Sequence, residues 1–254
     1  SFLLNKDHID FTDTEHAKLG IASFLLFSKF VLTPVVYKND LGKKHIRFNG
    51  FMEQCYMDKK NLRKMVFNFD KYKFNKTVFI RLVSWNASHD IGESGFTNKE
   101  LKALIKSLEI NTNIIISCEG KIPEELKKYQ IMIEPHEIHG LLNSVDLFIG
   151  EGATMASECA MIGTPAIYVN TLTAGTIIEQ EKFKLVHRFE SSLGVLDKAL
   201  EILNDHSRKT KYEKRNRTFL NKQIDVNEFI TSFIINYPKS AKILQENPNY
   251  KFDN

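Results

Sequence analysis

The stretch Asp146-Leu-Phe-Ile-Gly-Glu-Gly-Ala-Thr-Met-Ala-Ser-Glu-Cys-Ala-Met-Ile-Gly-Thr-Pro-Ala-Ile-Tyr-Val-Asn170 decides the fold. It reads as an apolar strand, a glycine turn, a short helix, a second glycine turn and another apolar strand, the unit from which parallel sheets are wound. Gly150 and Gly152 bracket the first turn, where a side chain would block close approach of a ligand. Thr154, Met155 and Ala156 open the helix with main-chain N–H groups aimed outward, and such a start attracts phosphate. Glu158 lies one turn further in, placed to accept hydrogen bonds from the vicinal hydroxyls of a ribose. A diphosphate beside a ribose is a nucleotide. The same residues also fit an ordinary strand–turn–helix with Glu158 on a solvated face, so the glycine turn needs support from elsewhere in the chain.

Working outward, strand and helix alternate at short intervals. Residues 78–84 form an apolar strand, 98–108 an amphipathic helix with Leu101, Leu104, Ile105 and Leu108 on one face, and 113–117 a buried strand. Asn98 is the expected N-cap of that helix. Pro123 opens a short helix, 131–133 reads as a strand, and 138–145 as a helix. Beyond the opening stretch come a helix at 176–183, a strand at 185–189 and a long helix from Gly194. Upstream, 8–12 is a strand, 14–27 a helix, 30–33 a strand stopped by Pro34, and 44–51 a further weak strand. The last helices are expected at 226–236 and 238–246. Strands that are apolar along their whole length belong to a parallel sheet covered on both faces, with ligands bound beyond the carboxyl ends of the strands. The polar loops fall at those ends: 84–90, 118–120, 134–139 and 150–152.

Composition sets the bounds. The 254 residues, 43% hydrophobic with 19 Phe, fill one large α/β domain or two smaller ones. A net charge of +4 from evenly mixed residues gives no ground for nucleic-acid binding. The three cysteines, Cys55, Cys118 and Cys159, form no CxxC pair and suggest neither zinc nor a disulfide framework; Cys118 and Cys159 read as buried thiols, fitting a reducing cytosol. The longest apolar stretch, 21–32, is broken by Ser28 and Lys29 and falls short of the roughly 20 residues that span a bilayer. The chain opens on Ser1 in what looks like the middle of an element, so it is expected to be the later part of a longer protein.

Several residues are suited to chemistry. His89 with Asp90 lies in a glycine-bearing loop, where an imidazole donates to phosphate or moves a proton near neutral pH. His136 and His139 lack a third ligand at metal spacing, so no metal site is expected. The backbone from Ile133 to His136 offers main-chain hydrogen bonds to a flat base. Asp13, Glu15 and His16 crowd a strand-to-helix junction; Asp13 or Thr14 caps the helix and Glu15 suits its first turn, but His16 is left over, and a carboxylate or imidazole here is a candidate acid or base. Arg81, in mid-strand, is either buried and paired or on an edge strand. The basic run 207–217 reads most simply as a solvated helix face, with a membrane surface as the alternative.

These motifs together carry a resemblance. Asp13-Thr-Glu-His-Ala17, Leu32-Thr-Pro34, Asn49-Gly50, Asn86-Ala-Ser-His-Asp90, His139-Gly-Leu-Leu142 and Gly150-Glu-Gly-Ala-Thr-Met-Ala-Ser-Glu158 resemble successive motifs of a prokaryotic family of unknown function, similar to GT-B glycosyltransferases and to non-hydrolysing UDP-N-acetylglucosamine 2-epimerases. The resemblance implies an α/β, GT-B-like protein of two Rossmann-like domains facing a cleft. Residues 1–58 would be a partial acceptor-side domain, 59–75 a linker, 76–224 the nucleotide-sugar domain, and 225–254 helices crossing back to the first domain.

The resemblance implies a catalytic role for His89 and for Asp13 or Glu15, and nucleotide contacts from Gly152, Thr154 and Glu158; the residues themselves add His16 as a catalytic candidate and Asn86, Asp90, Glu119, His136, Gly150, Ala153 and Met155 as candidate nucleotide contacts. The implied activity is transfer from a UDP-sugar without a metal or other cofactor, to a sugar or lipid-linked acceptor. The alternatives are epimerisation of a sugar nucleotide and a non-catalytic nucleotide-binding module. The related epimerases carry an arginine and Glu-Asn after their histidine and a glutamate pair in the nucleotide helix; here Asp90-Ile-Gly-Glu follows His89 and Cys159 follows Glu158, which sets epimerisation second. A cytoplasmic protein is expected, with peripheral contact at the inner face of the membrane and a homodimer as further options.

Overall fold

Apolar runs of the kind read above become parallel strands in the computed structural model, which describes residues 5–57, 67, 69, 74–83, 95–248 and 250. The chain divides into two compact units: residues 1–56, 174–176 and 221–254 form the first, and 57–173 with 177–220 the second.

In the first unit, β1 (Ile9–Phe11), β2 (Phe30–Pro34) and β3 (His45–Phe48) make a parallel sheet in that order, with Ile9 opposite Phe30 and Leu32 opposite Ile46. The crossover helix α1 (Lys18–Phe27) starts four residues later than the sequence suggests. Ala17 precedes it with no side-chain cap, so neither Asp13 nor Thr14 caps the helix. The physical reason lies in Glu15, whose carboxylate is drawn away to distant main-chain donors described below.

In the second unit, β4 (Thr77–Leu82), β5 (Asn113–Cys118), β6 (Leu147–Gly150), β7 (Ala166–Val169) and β8 (Val186–Phe189) form a parallel sheet in the order β5-β4-β6-β7-β8. Helix α2 (Asn98–Leu108) has the predicted span, but its cap is Thr97, whose hydroxyl accepts from Glu100 N while Glu100 reaches back to Thr97 N. A capping box outcompetes a lone Asn at the next position because it satisfies two donors at once. The stretch 131–133 is not a strand: Ile131 N donates to Ile116 O at 3.0 Å, only an isolated bridge joins Gln130 to Ile116, and Met132 is 91% exposed.

Helices α3 (Ile138–Ser144), α4 (Ala153–Ile162) and α5 (Gly175–Lys182) follow. The single long helix expected after Gly194 is two, α6 (Val195–Asn204) and α7 (Arg208–Leu220), parted where the Asp205 carboxylate accepts from Ser207 N at 2.8 Å. The basic run lies on α7, which buries Tyr212, Asn216 and Phe219 and leaves Lys209, Lys211, Lys214 and Arg217 exposed. Gly163 ends α4 with φ 94°, the left-handed cap that glycine adopts without strain.

One face of the second sheet packs Val78, Ile80, Ile149 and Ile167 against Leu101, Leu104 and Ile105 of α2 and Val195, Ala199 and Ile202 of α6. By strand alternation Phe79 and Phe148 lie on the opposite face, their rings 5.8 Å apart, with α4 against β6 and β7. Back in the first unit, α8 (Val226–Ile235) and α9 (Lys239–Glu246) bury Val226, Phe229, Phe233, Ala241 and Leu244 against Leu32, Ile46 and Phe48. Each such large apolar side chain contributes about 1.5–3 kcal/mol on burial. Among the described residues no helix is long and apolar enough to cross a membrane.

His187 of β8 gives the second unit an acid-sensitive point. Burial first, then Lys198 and Arg215, push its pKa down to about 4, and its Nε2 lies 2.7 Å from the Tyr212 hydroxyl. The unfolded chain protonates this imidazole near 6.5, so its contribution to stability is complete above that pH and is lost as pH falls toward 4. Stability is expected to drop by at most about 3 kcal/mol across that window, with His187→Phe flattening the dependence. Denaturant melts at pH 7, 5.5 and 4 measure it; an equal slope in native protein and variant contradicts it.

Candidate functional site

The strand order places the glycine turn at the topological switch point. From β4 the chain adds β5 on one side and then β6 on the other, so the carboxyl ends of β4 and β6 lie side by side at the switch point, where open α/β sheets bind ligands. Gly150 of β6 pairs in register with Arg81 of β4. A Cβ at Gly150 would lie 2.4 Å from the Phe148 ring of its own strand and a tight 3.2 Å from Arg81 O of β4, so the seat of that ring favours glycine there.

Gly152 acts differently. Among its protein neighbours a Cβ there would meet only Val83 Cγ1, at 3.5 Å, so packing does not demand glycine. Gly152 is the N-cap of α4, in extended conformation (φ −93°, ψ 127°), and supplies no side-chain oxygen to the helix. Ser, Thr, Asp or Asn at this position would accept from the first-turn amides. Here those of Ala153, Thr154 and Met155 begin the helix without such a cap. Thr154 is exposed, and Gly152, Ala153 and Met155 are half-buried, so this turn reaches solvent.

Glu158, one turn into α4, is 8% exposed, and its Oε1 lies 3.3 Å from Nε2 of His139, the second residue of α3. The structure therefore brings His139 to the candidate ribose carboxylate. His136, the sequence candidate for nucleotide contact, sits exposed in a 3-10 turn, Pro135–Glu137. Glu119, after β5, is held by the Arg81 guanidinium at 2.9 Å, and Arg81 also donates to Ser117 Oγ at 2.5 Å. Arg81 is thus the paired case, on a central strand, and not an edge residue. Cys159 is buried, and burial, then the Glu158 charge, hold its thiol well above the usual range; Cys118 is half-buried, not the fully buried thiol expected.

Glu151 is a residue of this region that is not among the sequence candidates. It is 3% exposed and accepts from Val83 N at 3.0 Å and Phe96 N at 2.8 Å, while its own carbonyl accepts from Asn170 Nδ2 at 2.9 Å. One buried carboxylate thereby ties the end of β4 to the approach of α2. The available signal was an acidic residue between two glycines at the end of an otherwise apolar strand, where a carboxylate must find donors to stay buried. Asn86, His89 and Asp90 lie outside the described residues.

In the first unit Glu15 is 5% exposed. It accepts from Lys38 N at 2.8 Å and from Gly175 N at 3.2 and 3.3 Å. These donors make it an anchor for two chain segments. Asp13 is half-buried and accepts from Thr14 Oγ1 at 3.2 Å, and His16 is also half-buried.

Comparison with known proteins agrees with this architecture. A protein from Listeria monocytogenes assigned as a UDP-N-acetylglucosamine 2-epimerase is 12% identical over 99% of this chain and 72% of its own, with a TM-score of 0.60. The Anabaena protein Alr3699/HepE, solved with UDP and glucose, is 9% identical over 92% of this chain and 73% of its own, with a TM-score of 0.52. The glycotransferase of kitacinnamycin is 12% identical over 80% of this chain, with a TM-score of 0.50, and the chain spans 55% of that protein's length. No curated protein matches by sequence. At these identities the likeness is one of fold: α/β with parallel sheets, as in GT-B glycosyltransferases and UDP-N-acetylglucosamine 2-epimerases. A family model described as protein of unknown function (DUF354) matches residues 4–239, and the chain belongs to that family.

Proposed function

We propose that this chain carries the donor site of a GT-B-type glycosyltransferase that takes a UDP-sugar and needs no metal ion. The observation that carries the reading is the uncapped start of α4 at the switch point of the second sheet, with a carboxylate one turn behind it. The amides of Ala153, Thr154 and Met155 would receive the diphosphate and stabilise it as it leaves, the role a cation otherwise plays. Glu158 would accept from the ribose hydroxyls. Transfer proceeds as a base takes the proton of the acceptor hydroxyl, the acceptor oxygen bonds to the anomeric carbon, and the bond from that carbon to the UDP oxygen breaks. Asp13, Glu15 or His16 is the candidate base in this reading, with Glu15 the one held by main-chain donors. The acceptor is a sugar or a lipid-linked sugar. The solved neighbour with bound UDP and glucose supports a nucleotide-sugar ligand for the fold.

Thermal unfolding with UDP and UDP-sugars tests the reading. At a hundredfold excess over Kd, a ligand of the native state adds about 2.7 kcal/mol of stability, and Glu158→Gln is expected to lower UDP affinity about tenfold. Release of UDP from its sugar only when an acceptor is present supports transfer. Interconversion of sugar nucleotides without acceptor supports epimerisation instead, and the absence of any shift with every nucleotide contradicts both.

A further inference from the structure

His139 and Glu158, 19 residues apart in sequence, join α3 to α4 at the edge of the proposed donor site. The side chains are 22% and 10% exposed, so the pair is largely withdrawn from water yet still reaches solvent. At 3.3 Å the contact is at the long end of the hydrogen-bond range, and what it supplies in such surroundings is direction more than energy. A glutamate has three rotatable bonds, and freezing such a side chain costs up to about 2 kcal/mol. A carboxylate that must meet a ribose benefits from having that cost met before the ligand arrives. His139 is well placed to do this: Gly140, Leu141 and Leu142, which follow it in α3, are buried and fix the helix that carries it.

We propose that His139 is a positioning residue that holds the Glu158 carboxylate in the orientation that reads ribose, and so sets how well the site separates ribonucleoside from 2′-deoxyribonucleoside diphosphates. The inference rests on the assignment of Glu158 to the ribose under the proposed function. A pair that merely braced α3 against α4 would act on every ligand alike, whereas a positioning pair acts on the sugar and leaves the phosphate seat alone.

Calorimetric titration of the native chain, His139→Gln, His139→Leu and Glu158→Gln with inorganic pyrophosphate, UDP and 2′-deoxy-UDP separates these cases. The native protein is expected to prefer UDP over 2′-deoxy-UDP about tenfold, the size of one hydrogen bond to a charged group. His139→Leu is expected to remove most of that preference while pyrophosphate affinity stays within about twofold. His139→Gln, whose amide donates with similar reach, is expected to keep most of the preference, and His139→Leu placed on Glu158→Gln to change nothing further. An unchanged preference in His139→Leu overturns the proposal, as does a parallel loss of pyrophosphate affinity with an intact melting profile. If the native preference exists but Glu158→Gln leaves it untouched, the assignment of Glu158 fails, and the role of His139 fails with it. If no nucleotide binds while the chain is folded, the donor-site reading itself is wrong.

Discussion

Gly175→Ala is expected to destabilise the first unit by about 3 kcal/mol or more, because overpacking against main chain cannot relax by a side-chain movement. A Cβ at this position would lie 1.9 Å from Val36 O and 2.7 Å from Glu15 Oε1. Val36 O is main chain, and Glu15 accepts from Lys38 N at 2.8 Å and from Gly175 N at 3.2 Å, so moving the carboxylate aside breaks those bonds as well. The added methyl therefore costs strain and leaves a buried carboxylate with fewer donors. For a chain of this size the melting temperature should fall by about 6–12 °C. Glu15→Gln keeps the shape while weakening the acceptor, and a smaller loss is expected. Calorimetric or denaturant unfolding of the two variants checks the order; a Gly175→Ala variant as stable as the native protein contradicts this packing.

Ala153→Pro should leave the fold intact and weaken UDP and pyrophosphate by about ten- to hundredfold, the value of one hydrogen bond to a charged group. Ala153 is the first residue of α4, the position where proline fits a helix without strain. Gly152 before it is already extended, φ −93° and ψ 127°, as a residue preceding proline prefers. The substitution thus deletes one N–H donor from the proposed phosphate seat and little else. Ala153→Gly keeps the donor and is the control. Equal UDP affinity in Ala153→Pro and the native protein, with both folded, excludes that amide from the site.

The sequence disclosed the architecture wherever local pattern and tertiary demand agree. Four apolar residues at helical spacing mark α2 to the residue, and the run 146–170 contains β6, α4 and β7 in the order read from it. Disagreement came where distant partners decide. The start of α1 depends on Glu15 reaching amides at 38 and 175, which no local reading contains. Residues 131–133 have a strand's composition, but they lack a neighbour to complete a ladder.

The candidate site divides in the same way. Gly150, Gly152 and the helix start were legible as turn and N-terminus chemistry. Glu151 and the His139–Glu158 pair were not, because each acts across segments that become adjacent only after folding. Arg81 lies between: its oddity in an apolar strand was visible, and its partner Glu119 at 2.9 Å was not.

The most direct test compares UDP with uridine, titrated into the native chain under identical conditions. If the amides at the start of α4 seat the diphosphate, UDP binds at least about a hundredfold more tightly than uridine. Equal affinities for the two would mean that the phosphates find no seat there, and the account of this site would be wrong.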